Sequence, residues 1–99
     1  MYVGVYRIDL FLPESHSLKA KRSVLNGLKT RLGQMNLSVA EVEGQDLWQR
    51  SVLAAAAVSS DVTYLDDLPG KIESLVLRDP RASLLRVEKD VLPVASLRD

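Results

Sequence analysis

Trp48-Gln49-Arg50-Ser51-Val52-Leu53-Ala54-Ala55-Ala56-Ala57-Val58-Ser59-Ser60 is the stretch on which the architecture turns. Four consecutive alanines favour a helix by propensity alone. Yet the run follows Gly44-Gln45-Asp46, which has the turn chemistry of a tight hairpin. A strand covered on both faces also reads as continuous apolar residues. Trp48 to Ser60 is therefore read as a central strand. Val52, Ala54, Ala56 and Val58 lie on one side of it, and Leu53, Ala55 and Ala57 on the other.

On the N-terminal side, Leu37 to Glu43 reads as a short strand, with Ala40 and Val42 set against Val39, Glu41 and Glu43. Before it, Leu18, Val24, Leu25, Leu28, Leu32 and Met35 recur at helical spacing, with Ser17 as N-cap and an end near Gln34. Met1 to Leu12 alternates as a strand, with Gly4, Tyr6, Ile8 and Leu10 opposite Val5, Arg7 and Asp9, and Pro13 closes it. On the C-terminal side, Asp61 caps a second helix whose apolar positions Val62, Leu65, Leu68, Ile72, Leu75 and Val76 stay in phase until Pro80. Pro69 inside that helix lacks the N–H that would bond Leu65, at a cost of ~3 kcal/mol, so a kink or short break is expected there. Ser83 to Val91 is the last strand, and the tail after Pro93 is expected to be loose. The order β-α-β-β-α-β is the α+β ferredoxin-like split βαβ arrangement, a four-stranded antiparallel sheet with both helices on one face. Residues 1–99 are expected to form a single domain of this kind.

Composition narrows the function. With 99 residues, 46% hydrophobic and no cysteine, the chain offers no disulfide framework, thiol nucleophile or zinc ribbon. Its longest apolar run, Val52 to Val58, is too short for a bilayer, and the alternating N-terminus with Arg7 and Asp9 is expected to be a strand and not a signal peptide. A soluble, cytoplasmic protein with no membrane partner is expected. Net charge is zero but unevenly spread. Residues 1–40 hold six basic and two acidic side chains, and residues 41–99 hold seven and eleven. Ser15 to Ala40 has five Lys or Arg, the only His and no acid. A zero total argues against general nucleic-acid stickiness and leaves a local patch open.

Ser17-Leu18-Lys19-Ala20-Lys21-Arg22-Ser23-Val24 resembles the Ser-Leu-Lys-x-Lys-Arg opening of the YlxP-like family of small bacterial proteins. Val39-Ala40-Glu41-Val42, Asp46-Leu47-Trp48-Gln49-Arg50 and the polar turn Ser59-Ser60-Asp61 extend the likeness over nearly the whole chain. Pro69-Gly70 departs from it, in a helix that the family usually runs unbroken. The resemblance implies a ferredoxin-like fold, a family without an established activity, and a setting among ribosome-maturation and translation genes. It carries over no catalytic residue.

The chemistry is that of a binding module. His16 lies between Ser15 and Ser17, where adjacency rarely gives nucleophile-to-base geometry. Asp66 and Asp67 point about 100° apart on a helix and do not share a metal. The glycines are scattered, with no phosphate-cradling loop. Acylphosphatase matches only in architecture, because Leu12-Pro13-Glu14-Ser15 lacks the glycines and arginine of that reaction and places an acid where a phosphate would sit. Base stacking on the sheet, as in RNA-recognition motifs, is not supported either, since the open face offers Arg7, Asp9, Glu41, Glu43, Arg86 and Glu88. No catalytic residue, cofactor or metal is expected. Lys19, Lys21 and Arg22, with His16 at the edge and Lys29 further along, are expected to form an anion site, with an RNA phosphate as occupant. Cations in the first turn oppose the helix macrodipole, so a bound anion would turn a liability into binding energy, unless Glu14, Glu41 or Glu43 neutralises the cluster within the fold. The alternative is a partner-binding or homo-oligomeric module that uses Val52, Leu53, Ala54, Ala56 and Val58.

Overall fold

The computed structural model describes residues 1–95. Its elements are β1 (Tyr2–Phe11), α1 (Leu18–Gly33), β2 (Ser38–Glu43), β3 (Arg50–Ser59), α2 (Val62–Leu77) and β4 (Ser83–Pro93). The four strands form one antiparallel sheet in the order β2-β3-β1-β4, so the polyalanine strand is internal, beside β1. This is the ferredoxin-like α+β arrangement. The expected looseness after Pro93 falls, from residue 96 on, outside the described residues. Val94 still donates its N–H to the Met1 carbonyl at 2.9 Å.

One face of the sheet and the two helices make the core. Tyr6, Ile8, Leu10 and Leu12 from the β1 segment meet Leu53, Ala55 and Ala57 from β3, under Val24, Leu25, Leu28 and Leu32 of α1 and Leu65, Leu68, Ile72 and Val76 of α2. All are buried. Leu53 thus belongs to the helix-facing set, which removes it from any self-association surface. Alternation forces this, because Leu53 and Ala55 share a face that Val52 and Ala54 cannot.

Three further expectations are corrected. The β2–β3 connection is not a tight hairpin but runs from Gly44 to Gln49, so β3 starts at Arg50. Gly44 takes φ +79°, a conformation that suits glycine, and its carbonyl accepts from the Leu47 N–H at 3.0 Å. Next, Glu41 does not lie on the open face. A bulge between Glu41 and Glu43 pairs Glu41 with Leu53 and Glu43 with Val52, so the two glutamates emerge on opposite sides.

Finally, α2 runs unbroken through Pro69. The Leu65 carbonyl that Pro69 leaves without its helical donor accepts instead from the Tyr6 hydroxyl at 2.6 Å. Gly4 makes room for this bond, since a Cβ there would lie 2.4 Å from the Tyr6 hydroxyl oxygen. Leu65, Leu68, Ile72 and Val76 pin both halves of the helix to the sheet. Each burial stabilises by roughly 1.5–3 kcal/mol, together more than the ~3 kcal/mol that an internal proline costs.

Candidate functional site

Helix α1 begins at the N-cap Ser17, whose hydroxyl accepts from the Ala20 N–H at 3.0 Å, and its first turn holds no acid. Lys19, Lys21, Arg22, Lys29 and Arg31 are its only charged residues. Helical phase sends them to three places. Lys21 points inward with Leu25, Leu28 and Leu32, and only 2% of it is exposed. Its ammonium lies 2.9 Å from Glu41 Oε2 and donates to the Gly44 carbonyl, while the Ser51 hydroxyl donates to the same Glu41 oxygen at 2.6 Å. Lys21 is therefore not a free cation of the expected cluster. It is consumed in a clamp that ties α1 to β2, β3 and the turn at Gly44, and alternation makes this possible, because Glu41 shares the helix-facing side of β2 with Val39, opposite Leu53 and Ala55.

Arg31 leans the other way. Its guanidinium meets the buried Asp79 carboxylate at 2.8 Å, and Arg81 meets the same oxygen at 2.9 Å. Hydrogen bonds from the Arg81 side chain and backbone, followed by the one from Arg31, outweigh burial and hold the Asp79 carboxyl well below the usual carboxylate range.

Lys19 and Arg22 are exposed and Lys29 is half-buried on the outer flank of α1, with Arg22 lining a recess that α1 makes with Glu41 of edge strand β2. None of the three forms an ion pair among the described residues. His16 is exposed just before the helix. The recess between this flank and β2 is about 170 Å³ and is lined in part by Leu18, Arg22 and Gln45. That is below the size of a small-molecule pocket, so the flank presents charges on an open surface.

The same end of the sheet carries a feature that sequence reading passed over. The 44–49 connection is tied to the segment after β1, with Leu12 N–H donating to the Gln49 carbonyl at 2.8 Å and Gln49 Nε2 donating to the Pro13 carbonyl at 3.0 Å. It leaves Trp48 53% exposed. Assigning Trp48 to a strand hid this. Its distance from the last turn residue, Asp46, was the available signal. Glu14 and Asp46 are exposed at this end and without ion pairs among the described residues, whereas Asp9, Glu41 and Glu43 nearby are paired.

The open face of the sheet divides in two. Toward the β2–β3 connection, Arg7 meets Asp9 at 3.0 Å and Glu43 at 2.6 Å, and Arg86 meets Asp9 at 3.3 Å and Glu88 at 3.2 Å. The Glu43 bond, with Asp9 adding, raises the Arg7 pKa further. Toward the other end the register aligns Leu92, Val3 and Val58 in one row and Val5 with Ala56 in the next, with Ala40 and Ala54 beyond. Val52, Ala54, Ala56 and Val58 thus share the open face, as alternation requires.

No helix among the described residues is long and apolar enough to cross a membrane. The family model described as "Protein of unknown function (DUF503)" matches residues 3–89. The chain is also similar to the "Uncharacterized protein YlxP" of Bacillus subtilis (strain 168), being 39% identical over 88 residues that cover 77% of this chain and 95% of the Bacillus protein. With its fold, its Ser-Leu-Lys-Ala-Lys-Arg helix start and this match along most of its length, the chain belongs to the DUF503 family, a family of unknown function.

Proposed function

We propose that this protein is a non-catalytic module that binds structured RNA, contacting phosphates along the outer flank of α1, in the ribosome-maturation setting that the family resemblance implies. One observation carries the reading. An acid-free helix presents Lys19, Arg22 and Lys29 without ion-pair partners among the described residues, whereas Lys21 and Arg31 are paired within the fold. Lone cations gain little from remaining unpaired on a surface, and phosphates recover that potential through charge-assisted hydrogen bonds. His16 stands at the entry to the strip, and Trp48 offers a base a stacking face at the same end.

The test is to titrate a structured RNA against wild type and a Lys19→Gln/Arg22→Gln/Lys29→Gln variant at two salt concentrations. Three phosphate contacts predict that a fourfold rise in salt weakens wild-type binding roughly 20- to 40-fold, and that the variant loses most of both affinity and salt dependence. Wild-type binding that is absent, or unchanged in the variant, rejects the reading.

A second reading rests on the apolar half of the open face, where Val58 is 68% exposed, Leu92 47% and Val5 43%. Self-association there would cover them. A Val58→Glu substitution would then convert an oligomer to a monomer in sedimentation, without changing the salt dependence of RNA binding.

A further inference from the structure

The largest described cavity lies away from both surfaces, in a groove of about 740 Å³ between α1 and α2. Arg31 from α1, Lys71 from α2 and Arg78 just past the end of α2 bring three cations to it, against one carboxylate, Asp67. Met35 and Leu75 add an apolar patch. The size lies in the range of small-molecule sites, and the lining residues are largely polar, with Gln34 and Ser74 beside the four charged groups, which suits an anionic ligand more than an apolar one.

Two details indicate an occupant. Gly70 lines the groove, yet neither backbone nor packing calls for glycine there. It lies inside a helix, where glycine is a poor residue, and a Cβ would meet nothing within 4 Å. What the missing side chain does is keep the groove open. The second detail is Arg31. Its Nη2 donates to Asp79, but its Nε–H is buried and has no acceptor. Buried donors are ordinarily satisfied. Asp79 keeps three bonds from Arg81 alone, through Nε, Nη2 and the backbone N–H, so Arg31 can swing toward an anion without stranding that carboxylate. Lys71 sits 5.2 Å from the centre of the Tyr64 ring and forms no ion pair among the described residues, and neither does Arg78.

We infer that this groove binds an organic phosphate of nucleotide size, with Arg31, Lys71 and Arg78 taking the phosphates and Met35 and Leu75 the apolar body. The site is independent of the RNA-binding flank, because Lys19, Arg22 and Lys29 line none of it.

Calorimetric titration of adenosine 5′-diphosphate and of inorganic pyrophosphate into the whole chain tests this. Wild type is expected to bind the nucleotide with a Kd below about 1 mM and at least roughly tenfold more tightly than pyrophosphate. Gly70→Met fills the groove with a better helix former, so its melting temperature should hold or rise while nucleotide binding is lost. Lys71→Gln/Arg78→Gln should also lose it, and the Lys19→Gln/Arg22→Gln/Lys29→Gln variant should keep it. No nucleotide binding by wild type, equal binding by Gly70→Met, or pyrophosphate bound as tightly as the nucleotide would each overturn the assignment.

Discussion

Lys21 shows how far a charge's role depends on its surroundings. Its helical phase already placed it on the buried side of α1, and of the three acids that could neutralise it, Glu14, Glu41 and Glu43, the fold brings Glu41. Glu41 reaches it because it alternates with Val39 on the helix-facing side of β2, while the bulge that follows turns only Glu43 to the open face. Breaking such a pair leaves a poorly solvated charge behind. Lys21→Met should therefore cost about 3 kcal/mol of unfolding free energy in urea melts, with Lys21→Met/Glu41→Leu recovering much of it. A loss of RNA binding with full stability in Lys21→Met would instead return Lys21 to the anion strip. Asp79 gives a second residue-scale expectation, in which pH is the variable. Its folded pKa lies below its unfolded value, so the stability it contributes is complete above the ordinary carboxylate range, near ~4, and is lost as pH falls toward the folded pKa. Between pH 5 and pH 2 the melting temperature should fall less in Asp79→Asn than in wild type. Equal falls would show that other carboxylates govern acid stability.

Among the elements, α2 shows why no break forms at Pro69. The expectation of a break counts a missing N–H and a clash inside one helix. It cannot see that Tyr6 on β1 brings a hydroxyl to the orphaned Leu65 carbonyl, or that Gly4 clears the space for it. Burial raises the Tyr6 pKa, with Asp66 and Tyr64 adding, so the hydroxyl stays protonated as a donor. Tyr6→Phe should cost about 1–3 kcal/mol in wild type, because it leaves a buried carbonyl unsatisfied. In a Pro69→Ala background the helix supplies its own N–H and the same change should cost clearly less. A double-mutant cycle in denaturant measures the difference, and equal costs would separate the hydroxyl from the proline. The rest of the element order was legible from residue patterns. Caps at Ser17 and Asp61, period-2 alternation in β1 and the in-phase stripes of both helices all act locally. What was not legible depends on contacts distant in sequence: the longer β2–β3 connection, the bulge and the rescued proline.

At the scale of the whole molecule, pairing separates the charges that hold the fold from those left free. Arg7, Lys21, Arg31, Arg81, Arg86 and Lys89 each meet a carboxylate, whereas Lys19, Arg22 and Lys29 on α1, like Arg50, Lys71 and Arg78 elsewhere, do not among the described residues. The candidate strip was thus partly legible in the sequence, as an acid-free segment. Which of its members stay available depended on where Glu41 and Asp79 come to lie. The most direct test of the RNA-binding account is a backbone amide NMR titration with a structured RNA at low salt. Shift changes should concentrate on His16 to Lys29 and around Trp48, and should disappear when salt is raised fourfold. Changes confined to Val3, Val5, Val58 and Leu92 on the open sheet face, or none anywhere, would contradict the account.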